Sequence, residues 1–104
     1  MPSLPGAVAE YRLTPKARED LVAIWTDGAS RWGAARADRY ISALADSFAL
    51  LAELPEMAAL RREFAPPLRI HPHGAHLILY VEDAGVVIAR VLHGRQDLLT
   101  ALDG

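Results

Sequence analysis

The spacing of apolar residues divides the chain into a helical first half and a β-rich second half. Residues 10–14 alternate polar and apolar side chains, which predicts a short strand. Thr14 followed by Pro15 is typical of a helix start, because a hydroxyl caps backbone N–H groups and proline fits the first helical turn. We expect this helix to end near Trp32, since Gly33 follows. Its apolar positions form one stripe: Ala17, Leu21, Ile24, Trp25, Gly28 and Trp32.

A second helix is predicted over residues 34–54, where Pro55 stops it. Its apolar face recurs at helical spacing and consists of Ala37, Tyr40, Ile41, Leu44, Phe48 and Leu51. Because only Gly33 separates the two helices, they should lie antiparallel as a hairpin.

In the second half the apolar spacing changes to every second residue, which predicts strands at residues 68–71, 76–82 and 86–92. Pro72 should end the first of these strands. Short turns between the strands favour an antiparallel meander. The predicted fold is therefore α+β: an N-terminal strand and an antiparallel helical hairpin packed on a three- to four-stranded, mainly antiparallel sheet.

The length of 104 residues fits one domain, with a flexible leader at residues 1–9 and the folded domain at 10–104. The chain has no cysteine, so disulfides and thiolate chemistry are excluded. It has neither an apolar run of about 18 residues nor an export signal, so we expect a cytoplasmic protein with no membrane partner. The net charge of −2 argues against direct, sequence-specific binding of nucleic acid.

Histidines and serines are the first candidates for chemistry. His71, His73 and His76 crowd together, but they flank a turn and lack a further ligand at a recognised spacing. The serines lie in no nucleophile elbow, and the glycines form no phosphate-binding loop. We therefore predict no metal, no cofactor and no catalytic residue.

Arg90 is unusual because it lies in an otherwise apolar strand. Simple alternation places its side chain on the same face as Ile88 and Leu92, with His93 on the other face. A cation there is costly unless it is paired or reaches solvent. Two interpretations stay open: an ion pair with a carboxylate of a helix or of the tail, or a role at an interface.

Several segments, in this order and spacing, resemble the ParE branch of the ParE/RelE toxin superfamily, which includes plasmid stabilisation toxins. They span residues 11–98 and are Tyr11-Arg-Leu-Thr-Pro-Lys-Ala-Arg-Glu-Asp-Leu21, Ile24-Trp25, Arg31-Trp32-Gly33, Leu51-Ala-Glu-Leu-Pro55, Arg69-Ile-His-Pro-His-Gly74, Leu79-Tyr80 and Arg90-Val-Leu-His-Gly-Arg-Gln-Asp-Leu98. Gln96 departs from the pattern, because family members often carry a second arginine there.

The resemblance implies the toxin of a type II toxin–antitoxin system, which inhibits DNA gyrase without being an enzyme. It also implies a ParD-like antitoxin that neutralises the toxin in a hetero-oligomer. One alternative is a RelE-like mRNA interferase, for which the catalytic candidates would be His93, Arg90 and Arg95, with Arg69 or Tyr80. The other is a degenerate homologue that only binds its antitoxin.

Two groups of residues are candidates for contact with the target or the antitoxin. Arg90, His93 and Arg95 lie at and beyond the end of the last strand, while Arg31, Arg36 and Arg39 lie near the helix junction. Partly disordered antitoxin tails fold into grooves beside such a hairpin and along the sheet edge, either as a helix on apolar positions or as an added strand. Acidic residues of the antitoxin could meet the second group. Each of these three arginines could equally belong to a solvated face. Trp25, if buried, should cost about 3–5 kcal/mol on replacement by alanine.

Overall fold

The computed structural model of the chain describes residues 10–94. The predicted leader at residues 1–9 and the segment from Arg95 onward lie outside these residues, so the domain boundaries stay a prediction.

The helical hairpin forms as predicted, with α1 at Pro15–Trp32 and α2 at Ala34–Glu53. Thr14 caps α1, because its Oγ1 accepts a hydrogen bond from the backbone N–H of Ala17 at 3.0 Å. Gly33 joins the helices with φ of +94°, a conformation that favours glycine. A short 3₁₀ turn at Pro55–Met57 follows α2. Neither α1 nor α2 combines the length and the apolar character needed to cross a membrane.

The strands of the described chain form one five-stranded mixed sheet in the order β1-β5-β4-β3-β2. Their bounds are β1 Tyr11–Leu13, β2 Leu60–Arg61, β3 Leu68–His73, β4 His76–Glu82 and β5 Val86–His93. β1 runs parallel to β5, whereas the other neighbouring pairs are antiparallel. The α+β class and the mainly antiparallel sheet are confirmed, but the sheet has five strands rather than three or four.

Two local predictions about the sheet were wrong. β2 was missed because its two residues, Leu60 and Arg61, are both exposed and show no alternation. Pro72 does not end β3, which continues to His73. β2 pairs with β3 only at Leu68 and Arg69. At Pro72 the edge of β3 that faces away from β4 therefore has no strand partner among the described residues, and proline is tolerated there although it lacks an N–H.

A β-bulge in β5 overturns the predicted faces of that strand. Leu79 pairs with Arg90 but Tyr80 pairs with Ile88, so Ala89 is an extra residue in β5. The extra residue shifts the alternation, and Ile88 and Leu92 lie in different apolar clusters instead of on one face. Arg90 therefore does not share a face with both of them.

Two apolar clusters hold the sheet from opposite sides. The larger one lies under the hairpin, where α2 residues Leu44, Phe48 and Leu51 pack with Ile78 and other strand residues. The smaller one contains the buried residues Phe64, Leu68, Leu79 and Leu92. Each fully buried Leu or Phe contributes about 1.5–3 kcal/mol, so the larger cluster dominates the stability of the fold.

The apolar stripe of α1 is only partly a core stripe. Ala17 is fully buried and Leu21 and Ile24 pack against the core, but Trp25 is 37% exposed and Trp32 is 56% exposed. The Trp25 Nε1 donates a hydrogen bond to Asp38 at 2.7 Å, which ties α1 to α2 at the surface. Trp25 is only partly buried, so replacing it by alanine should cost less than the roughly 3–5 kcal/mol of a fully buried tryptophan.

Candidate functional site

A groove of about 530 Å³ runs between the two helices and the end of the sheet at the β3–β4 turn. We call it the hairpin groove. It is lined by Ile24, Asp27, Gly28, Arg31, Trp32, Arg36, Ala37, Arg39, Tyr40, Ala43, Ala75, His76 and His93. Its size lies in the range of ligand and anchor pockets.

The close approach of the helices shapes the floor of the groove. A Cβ on Gly28 would lie 3.5 Å from the Cβ of Ala37, an ordinary contact distance. Small residues at this crossing let the backbones of α1 and α2 come together. The larger side chains that follow the crossing on each helix then form the walls.

The three arginines predicted near the helix junction all line the hairpin groove, although their role at an interface stays a prediction. Arg31 forms an exposed ion pair with Asp27 at 3.0 Å. The guanidinium of Arg36 lies 5.0 Å from the centre of the Trp32 ring, within cation–π range. Arg39 is exposed at the rim. Three cations and one carboxylate therefore line the groove, which favours an acidic partner.

A tyrosine–histidine cluster closes the sheet end of the groove. The Tyr40 hydroxyl lies 2.7 Å from the Nδ1 of His76 and donates to the carbonyl oxygen of His73 at 3.1 Å. The Nδ1 of His73 lies 2.8 Å from the Oγ of Ser47. The rings of His76 and His93 pack edge to face, with centroids 5.5 Å apart. The cluster thus joins α2 to the ends of three strands.

The β3–β4 turn is built around the Tyr40 hydroxyl. Gly74 has φ of +56°, and a Cβ there would lie only 2.8 Å from the Tyr40 hydroxyl oxygen. Glycine adopts this backbone conformation and permits the close approach without displacing the phenol. Glycine at position 74 therefore places His73 and His76 on either side of the same phenol.

The protonation of the cluster follows from its burial. Burial raises the pKa of the Tyr40 phenol, an effect partly offset by a hydrogen bond to the turn backbone. Burial lowers the pKa of His76 below its ordinary value, and positive charge on His93 or His73 would lower it further. The carboxylate of Asp27 acts in the opposite direction. His76 is therefore held neutral at neutral pH.

Arg90 forms an ion pair with a helix carboxylate, the first of the two interpretations open for it. Its Nε and Nη2 donate to the two carboxylate oxygens of Asp20 in α1, at 2.8 and 3.0 Å. Asp20 also accepts the backbone N–H of Val91 at 2.9 Å. The pair is largely buried, and the hydrogen bond to Asp20 raises the pKa of Arg90. Arg90 thus anchors β5 to α1.

Arg69 and Tyr80, two of the residues proposed for an mRNA interferase, are paired across β3 and β4, but each side chain is tied to the backbone by a hydrogen bond. Arg69 pairs with Glu82 at 3.0 Å and donates to the carbonyl of Ala58. Tyr80 is buried with its hydroxyl bound to the carbonyl of Pro55. Arg90 is engaged by Asp20, whereas Arg95 lies outside the described residues. No three His, Asp or Glu side chains of residues 10–94 gather as a metal site.

Sequence reasoning missed three residues of the groove and its support. The sequence places Tyr40 on the apolar face of α2 and His76 beside a turn, and it gives Asp20 no role of its own. Their partners lie 36 positions away for Tyr40 and 70 for Asp20, beyond any local pattern. One signal was available: a glycine between two histidines marks a turn whose backbone approaches another group.

The fold is shared with a solved structure of a toxin–antitoxin system. The structure resembles one described as the chromosomal ParDE toxin–antitoxin system from P. aeruginosa, with a TM-score of 0.70, 19% sequence identity, and coverage of 83% of this chain and 96% of that one. Residues 11–98 match the family of the ParE toxin of type II toxin–antitoxin systems, parDE. This chain belongs to that family.

Curated relatives agree with this assignment. The chain is 35% identical to Toxin ParE1 of Caulobacter vibrioides over 83 residues, which cover 80% of this chain and 86% of that protein. It is 34% identical to Toxin ParE of Escherichia coli over 94 residues, which cover 88% of this chain and 91% of that protein. The similarity spans nearly the whole of each toxin.

Proposed function

We propose that this toxin acts in the cytoplasm by inhibiting DNA gyrase, and that a ParD-like antitoxin neutralises it by binding in the hairpin groove. The observation that carries the first part is the match to the ParE toxin family across residues 11–98. Toxins of this branch bind and inhibit gyrase instead of cutting a substrate. The side chains of Arg69, Tyr80 and Arg90 are all held by hydrogen bonds within the fold, which favours such a binding mechanism over RNA cleavage.

The target is tested by inducing the toxin in bacteria with and without its antitoxin, and by assaying the purified protein. We expect growth arrest that the antitoxin relieves, loss of gyrase supercoiling and accumulation of cleaved DNA, with translation unaffected. Loss of translation with intact supercoiling would instead indicate an mRNA interferase. An absence of any growth effect from folded toxin would indicate a degenerate homologue.

The groove supports the second part of the proposal through its shape and charge. Trp32, Ala37 and Ala43 offer an apolar floor and wall, while Arg36 and Arg39 present cations at the rim. A tail that folds into an amphipathic helix on binding would bury its apolar side on this floor. Its carboxylates would then face the two arginines.

Charge reversal tests this docking site. Arg36→Glu and Arg39→Glu should each weaken antitoxin binding by about tenfold, because a repulsive contact replaces an attractive one at the rim. The matched control is Arg62→Glu, at an exposed arginine that does not line the groove. Equal dissociation constants for all three variants, measured by calorimetry, would exclude the groove as the antitoxin site.

A further inference from the structure

The sheet end of the hairpin groove differs chemically from its rim. There the wall is formed by His76 and His93, whose ring centroids lie 5.5 Å apart, beside the Tyr40 hydroxyl. Both histidines line the groove itself. A bound partner would therefore contact two titratable groups that lie next to three fixed cations.

The charges around His76 come from every element packed on it. Asp27 faces it from α1, Tyr40 from α2, His73 from β3 and His93 from β5. Asp27 is already paired with Arg31, which reduces the negative charge available to the histidines. A proton on His76 is thus poorly compensated while the groove is empty.

We infer that His76 and His93 form a carboxylate-binding subsite, which takes up a proton when an acidic side chain of the antitoxin enters the groove. This inference rests on the proposed docking of the antitoxin. An imidazolium donates a charge-assisted hydrogen bond to a carboxylate, about twice as strong as the neutral bond. Three arginines line the same groove, so a partner that carries carboxylates would be complementary to it in charge.

Proton uptake gives the subsite a measurable signature. Binding that takes up one proton tightens by up to about tenfold for each unit of decrease in pH. The free toxin holds His76 neutral near pH 7, and a bound carboxylate would raise its pKa. The antitoxin should therefore bind more tightly at pH 6 than at pH 8.

A variant of His76 should remove the titrating ring but keep the hydrogen bond to Tyr40. His76→Asn does so, because the asparagine amide occupies nearly the position of Nδ1 but does not titrate. His93→Gln tests the other ring and serves if His76→Asn does not fold. The matched control is His71→Asn, since His71 also lies on a strand, has a lowered pKa and does not line the groove.

The experiment measures binding of the purified ParD-like antitoxin to the whole toxin at pH 6 and pH 8, together with the His76 pKa by ¹⁵N NMR in free and bound toxin. We expect about tenfold tighter binding at pH 6, reduced to less than about twofold in His76→Asn or His93→Gln and unchanged in His71→Asn. We also expect the pKa of His76 to be higher in the bound toxin than in the free toxin.

Two other results would overturn the inference, and they differ from each other. In the first, Arg36→Glu weakens antitoxin binding, but the dissociation constant is the same at pH 6 and pH 8 and the His76 pKa is the same in free and bound toxin. The carboxylate subsite is then wrong, and the docking groove stands. If the antitoxin binds with no effect of Arg36→Glu or Arg39→Glu and no change at His76, the docking proposal itself fails.

Discussion

Asp20 does more for the fold than a surface carboxylate of a helix would. It compensates Arg90 and also accepts the backbone N–H of Val91, next to the bulge in β5. The side chains of Asp20 and Arg90 are only 14% and 18% exposed. Removing one partner of such a pair leaves a desolvated charge, which costs far more than the pair itself contributes.

We therefore expect Asp20→Ala to lower the free energy of unfolding by about 3 kcal/mol. The comparison is Asp27→Ala, which breaks the ion pair with Arg31 and should cost no more than about 0.5 kcal/mol because both side chains are 63% exposed. Urea denaturation followed by circular dichroism measures both changes. Similar losses in the two variants would contradict the structural role of Asp20.

The same contact changes what a toxicity assay of Arg90 means. Arg90→Ala tests whether Arg90 belongs to a target surface, but the ion pair with Asp20 makes it a test of stability as well. We expect Asp20→Ala and Arg90→Ala to lose toxicity in parallel with folded protein, measured by growth assays and soluble yield. An Arg90→Ala variant that is fully stable yet harmless would place Arg90 on the target surface.

At the scale of elements, Thr14 joins three parts of the fold. Its Oγ1 accepts the N–H of Ala17 at the start of α1 and donates to the carbonyl of Ala89 at 2.7 Å. Its backbone N–H donates to Ile88 at 3.1 Å. The bulge in β5 thus turns the carbonyl of Ala89 toward the cap of α1, so that one hydroxyl fixes the angle between hairpin and sheet.

Thr14→Ala should lower the free energy of unfolding by about 1–2 kcal/mol, because it removes the helix cap and leaves the Ala89 carbonyl without that donor. Thr14→Ser keeps the hydroxyl and should stay within about 0.5 kcal/mol of the wild type. Chemical denaturation of both variants is the measurement. A serine variant as unstable as the alanine variant would show that the methyl group matters instead.

Local sequence signals predicted most of the helices and strands, whereas the features that they missed depend on contacts between residues far apart in the sequence. Thr14-Pro15 and Gly33 marked the ends of α1 correctly, and the alternation of residues 76–82 gave β4 its observed bounds. The bulge at Ala89 depends on a carbonyl meeting Thr14, 75 positions away. The groove arginines were predicted from their position near the junction, whereas Tyr40 and His76 meet only after the sheet packs on α2.

At the scale of the whole molecule, two partly buried histidines make the free toxin sensitive to acid. Burial lowers the pKa of both His71 and His76 below the ordinary value of about 6.5. The unfolded chain therefore binds more protons than the folded chain as the pH falls below this value. The contribution of these two histidines to stability is fully present above about pH 6.5 and is lost as the pH falls through their lowered pKa values.

We expect the denaturant midpoint to be lower at pH 5 than at pH 7.5, and this difference to shrink in the His71→Asn, His76→Asn double variant. The wild type, measured at the same two pH values, is the control. A double variant with the same pH dependence as the wild type would remove these histidines from the acid response. The antitoxin, by supplying a carboxylate to His76, should protect the toxin in this range.

The position of β5 has a consequence for how the toxin is made. β5 is the last described strand in the chain, yet in the sheet it lies between β1 and β4 and carries one wall of the hairpin groove. Tyr11 and Val86 lie far apart in the sequence, so their pairing closes the longest loop among the strand pairs of residues 10–94. The segment through β5 must therefore leave the ribosome before the groove exists, and until then the nascent toxin lacks the complete groove that we propose for the antitoxin.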